Sequence, residues 1–260
     1  MKRGILLALA CVVATFAQAD LLYTVQEGTD SLATINTTSG AVNVIGSLGT
    51  SYNFGDLAFN TNNNTMYMVN GRGSVPSNLY TVNLTTGQAT LIGSTGQVEM
   101  FGLAFDPTTG KLFGSQSTGA TGFFDMNLGT GSATLIGNPG VNLDGMTYVG
   151  STGDIAGMWA GPGSLHRINR NTGAQTLLSA GGGFVDNGGL AWLASDNNIY
   201  SVDWSGGFYK YNVGSAYART TIITGIGSYD GLASAAPVPE PMTIAMLGAG
   251  LVALAKRRRK

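Results

Sequence analysis

Between residues 20 and 235 apolar positions come in short runs, many alternating with polar ones, and the runs are separated by turn-forming Gly, Asn, Thr and Pro. In "LYTVN", from Leu79, the alternation has the period of two expected of a strand with one buried face. The runs also recur. "NLYTVNLTTGQATLIGSTG" from Asn78 returns as "SLATINTTSGAVNVIGSLG" from Ser31, "GFFDMNLGTGSATLIGNPG" from Gly122 and "SLHRINRNTGAQTLLSAGG" from Ser164. A degenerate copy, "GFYKYNVGSAYARTTIITG", starts at Gly207. The second residues of these copies, Leu32, Leu79, Phe123, Leu165 and Phe208, lie 47, 44, 42 and 43 positions apart.

Two further signatures keep the same beat. One is small and Gly-rich: "GDLAF" at Gly55, "GLAF" at Gly102, "GMTY" at Gly145, "GLAW" at Gly189 and "GLAS" at Gly231. The other reads "LLYTVQEG" from Leu21, "TMYMVNG" from Thr65, "KLFGSQ" from Lys111, "DIAGMWAG" from Asp154 and "NIYSVD" from Asn198. Four short strands in a unit of about 44 residues is the pattern of β-propeller blades, and five copies predict five blades. A β-sandwich or β-solenoid is the competing architecture. The Gly-rich strand is expected innermost, where blades crowd the axis. One unit is split between the two ends of the repeat, so the final "GLAS" strand is expected to pair with the first strand, closing the ring and removing two open edges.

Composition agrees with such a fold. There are 40 glycines, 43% of residues are apolar and only 10% are charged. The net charge of −1 hides an asymmetry: residues 20–235 hold six basic and 13 acidic side chains, a net of −7. So acidic a body is a poor partner for nucleic acid, whose binding rests on neutralising phosphates. Cys11 is the sole cysteine and His166 the sole histidine, which excludes disulfides, Cys-based metal sites and a Cys nucleophile from the body.

The ends give an address. "MKRGILLALACVVATFAQAD" has a basic start, an apolar run and a small-x-small site, Ala17-Gln18-Ala19, before Asp20. It predicts a secretory signal over residues 1–19, and hence export through the Sec machinery. At the other end, residues 242–255 carry no charge and would make a helix of about 21 Å, short for a bilayer core of about 30 Å. Pro239, Glu240 and Pro241 precede that run, and Lys256, Arg257, Arg258, Arg259 and Lys260 follow it. The basic cluster resists crossing to the outside. This order of parts, over residues 236–260, resembles the PEP-CTERM sorting signal of Gram-negative bacteria. The resemblance implies recognition by an exosortase-type membrane protease, transient anchoring in the inner membrane, and delivery to the cell surface or extracellular matrix. A plain uncut carboxy-terminal anchor is the alternative. The blade pattern, in turn, is similar to that of YVTN/NHL-like propellers, where a "GLAFDP"-type strand precedes an "xLY" strand. That family includes ligand binders, scaffolds and enzymes, so it implies a fold and leaves the function open.

Candidate chemistry is sparse. Asp56, Asp144, Asp186 and Asp230 stand near the starts of inner strands and are expected to converge at one mouth of the central channel, where oxygen ligands would suit Ca²⁺. No other cofactor is indicated. Trp204, Tyr209, Tyr211 and Tyr217 flank the more variable loops and are candidates for stacking on extracellular polysaccharide. Trp192 aligns with Phe59, Phe105 and Tyr148 and is expected in the core, whereas His166 is expected on a strand surface. No nucleophile elbow, phosphate loop, zinc motif or dinucleotide fingerprint stands in a suitable context. The reading is an exported, surface-sorted, non-enzymatic propeller acting as a binding or matrix component. An exported polysaccharide hydrolase or lyase is the rival, and it would require a converging carboxylate pair.

Overall fold

The computed structural model describes residues 20–73, 75–117, 121–183, 185 and 188–235. The signal segment, Asp186 and the whole sorting tail therefore lie outside the described residues. The described chain is built of strands with one short 3-10 turn, Val213–Ser215.

Five antiparallel four-stranded sheets form five blades. Blade 2 holds β4 (Gly55–Asn60), β5 (Thr65–Asn70), β6 (Pro76–Val82) and β7 (Ala89–Val98). Blade 3 holds β8 (Met100–Asp106), β9 (Lys111–Gln116), β10 (Gly122–Met126) and β11 (Ala133–Gly137). Blade 4 holds β12 (Leu143–Val149), β13 (Asp154–Trp159), β14 (Ser164–Ile168) and β15 (Gln175–Ser179). Blade 5 holds β16 (Leu190–Leu193), β17 (Asn198–Val202), β18 (Gly207–Asn212) and β19 (Ala218–Thr224). Blade 1 is composite. Its order is β20 (Tyr229–Ser234), β1 (Leu21–Gln26), β2 (Ser31–Asn36) and β3 (Val42–Ser47). Thr24 faces Leu232 and Leu22 faces Ser234 across the join, so the last strand closes the ring on the first. This is the closed five-bladed propeller that the repeat predicts.

Burial follows distance from the axis. The inner strand β4 is buried at every position, because both of its faces meet neighbouring blades. Leu57 and Phe59 pack toward blade 1, and Ala58 toward blade 3. The outer strand β11 is half-buried or exposed throughout. The apolar core is divided into five clusters, one in each gap between adjacent blades.

The recurrent Asn-x-Thr-Thr-Gly has a local cause. Asn83 Oδ1 accepts the amides of Thr85 and Thr86 at 2.8 and 3.0 Å, which caps the turn between β6 and β7. Asn36 and Asn127 make the same pair of bonds in their own turns. Gly87 then takes φ +82°, which suits a residue without Cβ. It sits against Gly46 of blade 1, and a Cβ on Gly46 would lie 2.3 Å from the Thr86 carbonyl. The turn glycine of one blade thus docks on the outer-strand glycine of the preceding blade.

Candidate functional site

The five inner strands surround the axis. The position before Leu57, Leu103, Met146, Leu190 and Leu232 is Asp56 in blade 2, and Gly102, Gly145, Gly189 and Gly231 in the others. These glycines have no room for a side chain. A Cβ on Gly145 would lie 2.3 Å from the Gly188 carbonyl, and one on Gly189 would lie 2.1 Å from the Leu232 nitrogen. Asp56 fills the space they leave. Its Oδ1 accepts the amides of Leu57 at 2.9 Å and Leu232 at 3.0 Å. Its Oδ2 accepts those of Leu103 at 2.9 Å and Met146 at 3.0 Å. One carboxylate, 0% exposed, thereby ties together the inner strands of blades 1, 2, 3 and 4. Burial pushes this carboxyl well above the usual range, and the four amide donors oppose the shift.

Beyond Asp56, at the end where the inner strands begin, the axis is closed. Asp230 is buried and accepts the amides of Gly55 at 2.9 Å and Gly231 at 2.8 Å. Burial raises its carboxyl well above the ordinary value, and the charges of Glu27 and Asp144 add to the rise while the two amides oppose it. Asp144 accepts from the Ser117 hydroxyl and from the Ala160 amide, the latter at 3.1 Å. Phe54 packs against Phe101 and Trp204 at ring distances of 5.7 and 6.2 Å, with the Arg72 guanidinium 4.3 Å above its ring centre. The amide of Phe54 is held by Glu27 Oε1 at 2.8 Å. Tyr52 is buried beneath this cap, and its hydroxyl has no hydrogen-bond partner among the described residues.

The opposite end is open. A cavity of about 330 Å³ enters the axis where the inner strands finish. Its rim is Phe59, Phe105, Tyr148 and Trp192, at equivalent positions of blades 2 to 5, with Ser234 in the fifth place. The ring Leu57, Leu103, Met146, Leu190 and Leu232 forms its deeper wall. Thr61 and Thr147 add hydroxyls, and no lining residue is charged. Trp192 is half-buried, and its indole N–H donates to Asn197 Oδ1 at 3.0 Å.

The structure sorts the residues singled out in the sequence. Asp144 and Asp230 lie together at the closed end, whereas Asp56 lies one register position further along, on the axis itself. In Asp56 and Asp230 both carboxylate oxygens already accept backbone amides, and among the described residues no three His, Cys, Asp or Glu are grouped to hold a metal ion. The four aromatics do not form a common face. Tyr211 and Tyr209 are buried, their hydroxyls donating to the Gly163 carbonyl at 3.3 Å and Asp203 Oδ2 at 2.9 Å. Tyr217 is half-buried, and only Trp204, at 41%, is exposed. Tyr209 and Tyr211 share the face of β18 that packs toward blade 4, and Phe208 lies on the face toward blade 1. His166 is also buried, between the Ser164 hydroxyl at 2.9 Å and Gln175 Oε1 at 2.7 Å. Trp192, expected in the core, is half-buried against the apolar cluster between blades 4 and 5, and like Phe59, Phe105 and Tyr148 it also lines the funnel. That alignment was the available signal: equivalent positions at the ends of inner strands must encircle the axis.

These strands and their two unlike ends define a five-bladed β-propeller. Residues 237–260 match the PEP-CTERM protein-sorting motif, so the chain is an exported, exosortase-processed protein that is transiently anchored in the membrane. No curated protein matches the chain. Among solved structures, a chain of a nidogen/laminin complex aligns with a TM-score of 0.59 at 13% identity, covering 82% of this chain and 81% of its own. A structural-genomics protein of unknown function from Bacteroides thetaiotaomicron aligns at 0.53 and 19% identity, covering 79% of this chain. The present chain spans 58% of that protein's length. These likenesses are of fold alone.

Proposed function

We propose that the exported propeller is a binding component of the cell surface or extracellular matrix, and that its ligand, a sugar ring of an extracellular polysaccharide, enters the open funnel. The observation that supports this most is the uncharged cavity of about 330 Å³ rimmed by Phe59, Phe105, Tyr148 and Trp192. A volume near the lower end of small-ligand sites, aromatic walls and a few hydroxyls suit one ring that stacks and makes a small number of hydrogen bonds. The mature protein, recovered after export, is screened on a glycan array and then titrated by Trp fluorescence. Binding is expected, and Trp192→Ala is expected to abolish it while the variant, though less stable, keeps the β-sheet circular dichroism of the wild type. Absence of any glycan ligand, or full binding by Trp192→Ala, overturns the reading.

A second reading, the exported hydrolase or lyase, is favoured by one observation: the Asp230 carboxyl is raised, in part by the charges of Glu27 and Asp144. Against it, the Asp230 oxygens hold two amides and the Phe54 cap lies over that end of the axis. Release of reducing ends from a bound polysaccharide would favour this enzyme over the binder.

A further inference from the structure

One buried polar set lies away from both the funnel and the axis. Where the other blades carry Ala33, Tyr80, Phe124 and Tyr209, blade 4 carries His166. Where they carry Val42, Ala89, Ala133 and Ala218, it carries Gln175. The fold is thus served elsewhere by mainly apolar side chains, and a buried polar pair that the repeat does not need is the kind of departure made at functional sites. Alternation along β14 puts Ser164, His166 and Ile168 on one face, and Ile168 shares the apolar cluster of Phe113 and Phe123 in blade 3. The set therefore lies in the gap between blades 3 and 4.

Its bonds have a direction. Gln175 Oε1 has no proton to give, so His166 Nδ1–H donates to it at 2.7 Å. A proton on Nδ1 leaves a lone pair on Nε2, and the Ser164 hydroxyl donates to that lone pair at 2.9 Å. Hydroxyl, base and orienting group stand in the order of a nucleophilic triad, with an amide in the third place. Ser164 is the first residue of β14, at the closed end, and it faces Trp159 across the ladder. Directly opposed residues share a face. Trp159, 38% exposed and with its ring 6.2 Å from the imidazole, carries that face out to solvent.

We propose that Ser164 is a nucleophile toward small carboxylic esters, with His166 as its base and Gln175 as the positioning residue. Ser164 Oγ bonds to the ester carbonyl carbon while its proton passes to His166 Nε2, and the alcohol leaves with that proton. Water then gives a proton to Nε2 and its oxygen to the acyl carbon; the Oγ–C bond breaks and Ser164 regains the proton. Ester and water are the only reactants. Ser164 is 4% exposed, so a short acyl group such as acetyl is the one that fits. Gln175 brings no charge to the imidazolium, which makes the reaction slower than that of a carboxylate triad. The activity is independent of ligand binding in the funnel.

The mature protein, recovered after export, is treated with a small alkyl fluorophosphonate, and the adduct is mapped by mass spectrometry. The adduct is expected on Ser164. His166→Gln is expected to slow labelling about 100-fold or more, the scale of a general base. Gln175→Glu adds the missing charge and is expected to speed labelling several-fold, which a merely structural hydrogen bond would not do. With p-nitrophenyl acetate, release of p-nitrophenol beyond one equivalent supports the water step, and a single equivalent overturns it. An unlabelled protein, an adduct on another serine, or labelling unchanged in His166→Gln overturns the nucleophile. Mapping on the wild type decides the matter even where a variant fails to fold.

Discussion

At one end of the propeller axis Asp56, Asp144 and Asp230 bind backbone amides beneath a cap of Phe54, Phe101 and Trp204. At the other, Phe59, Phe105, Tyr148 and Trp192 stand around a space that no part of the described chain fills. The same five strands make both. The closed end arises where the repeat is broken, by one Asp in place of Gly and by aromatics particular to single blades, Phe54 and Trp204 outside the strands and Phe101 near the start of β8. The open end arises where the repeat is kept, since its lining consists of equivalent positions from successive blades. Groups that look reactive in the sequence are engaged in holding the ring, whereas of the groups that look like ordinary core Phe59 and Phe105 are buried and Tyr148 and Trp192 are only half-buried.

The largest effect that would break this contrast is at Asp56. Asp56→Ala leaves four buried amides without an acceptor, and the loss is expected to be at least about 4 kcal/mol by chemical denaturation. A loss below about 1 kcal/mol would mean that water replaces the carboxylate and that the closed end is not a clasp. Next is the packing of the glycines. Gly145→Ala drives a methyl against the Gly188 carbonyl and is expected to cost about 1–3 kcal/mol. Gly110→Ala serves as the comparison, because nothing lies near its position and only its φ of +71° resists the change.

The acidity of the closed end provides a third, smaller handle. Asp56 and Asp230 both have carboxyls raised in the folded state, so the native protein binds more protons than the unfolded chain above about pH 4. Their contribution to stability is complete below that pH and is lost as pH rises through the folded values. The thermal midpoint of Asp230→Asn is therefore expected to fall less between pH 4 and 7 than that of the wild type. A steeper fall in the variant would reverse the assignment. The smallest effect concerns Ca²⁺: with the oxygens of Asp56 and Asp230 occupied by amides, adding the ion is expected to leave the midpoint unchanged. A clear upward shift would restore the cation site at the channel mouth.

The ring, the blade count and the closing strand were all legible, because a beat of 42 to 47 residues and a unit split between the ends admit few closed arrangements. The site was not legible in the same way. Asp56 and Asp230 look alike in "GDLAF" and "DGLAS", yet they differ by one register position, and that step decides which carboxylate lies on the axis. Tyr209 and Tyr211 read as a loop-side pair, yet they sit in β18, where cross-blade packing buries both. The funnel could be read only by treating Phe59, Phe105, Tyr148 and Trp192 as points on a circle.

The composite first blade also governs when the molecule can exist at all. Because β20 supplies an edge of that sheet and also the Leu232 amide held by Asp56, the disc stays unlocked until the end of the body has emerged. A chain of this design stays an open set of blades while it lacks its last strand, so the final turn of the key comes from the stretch of chain next to the sorting tail.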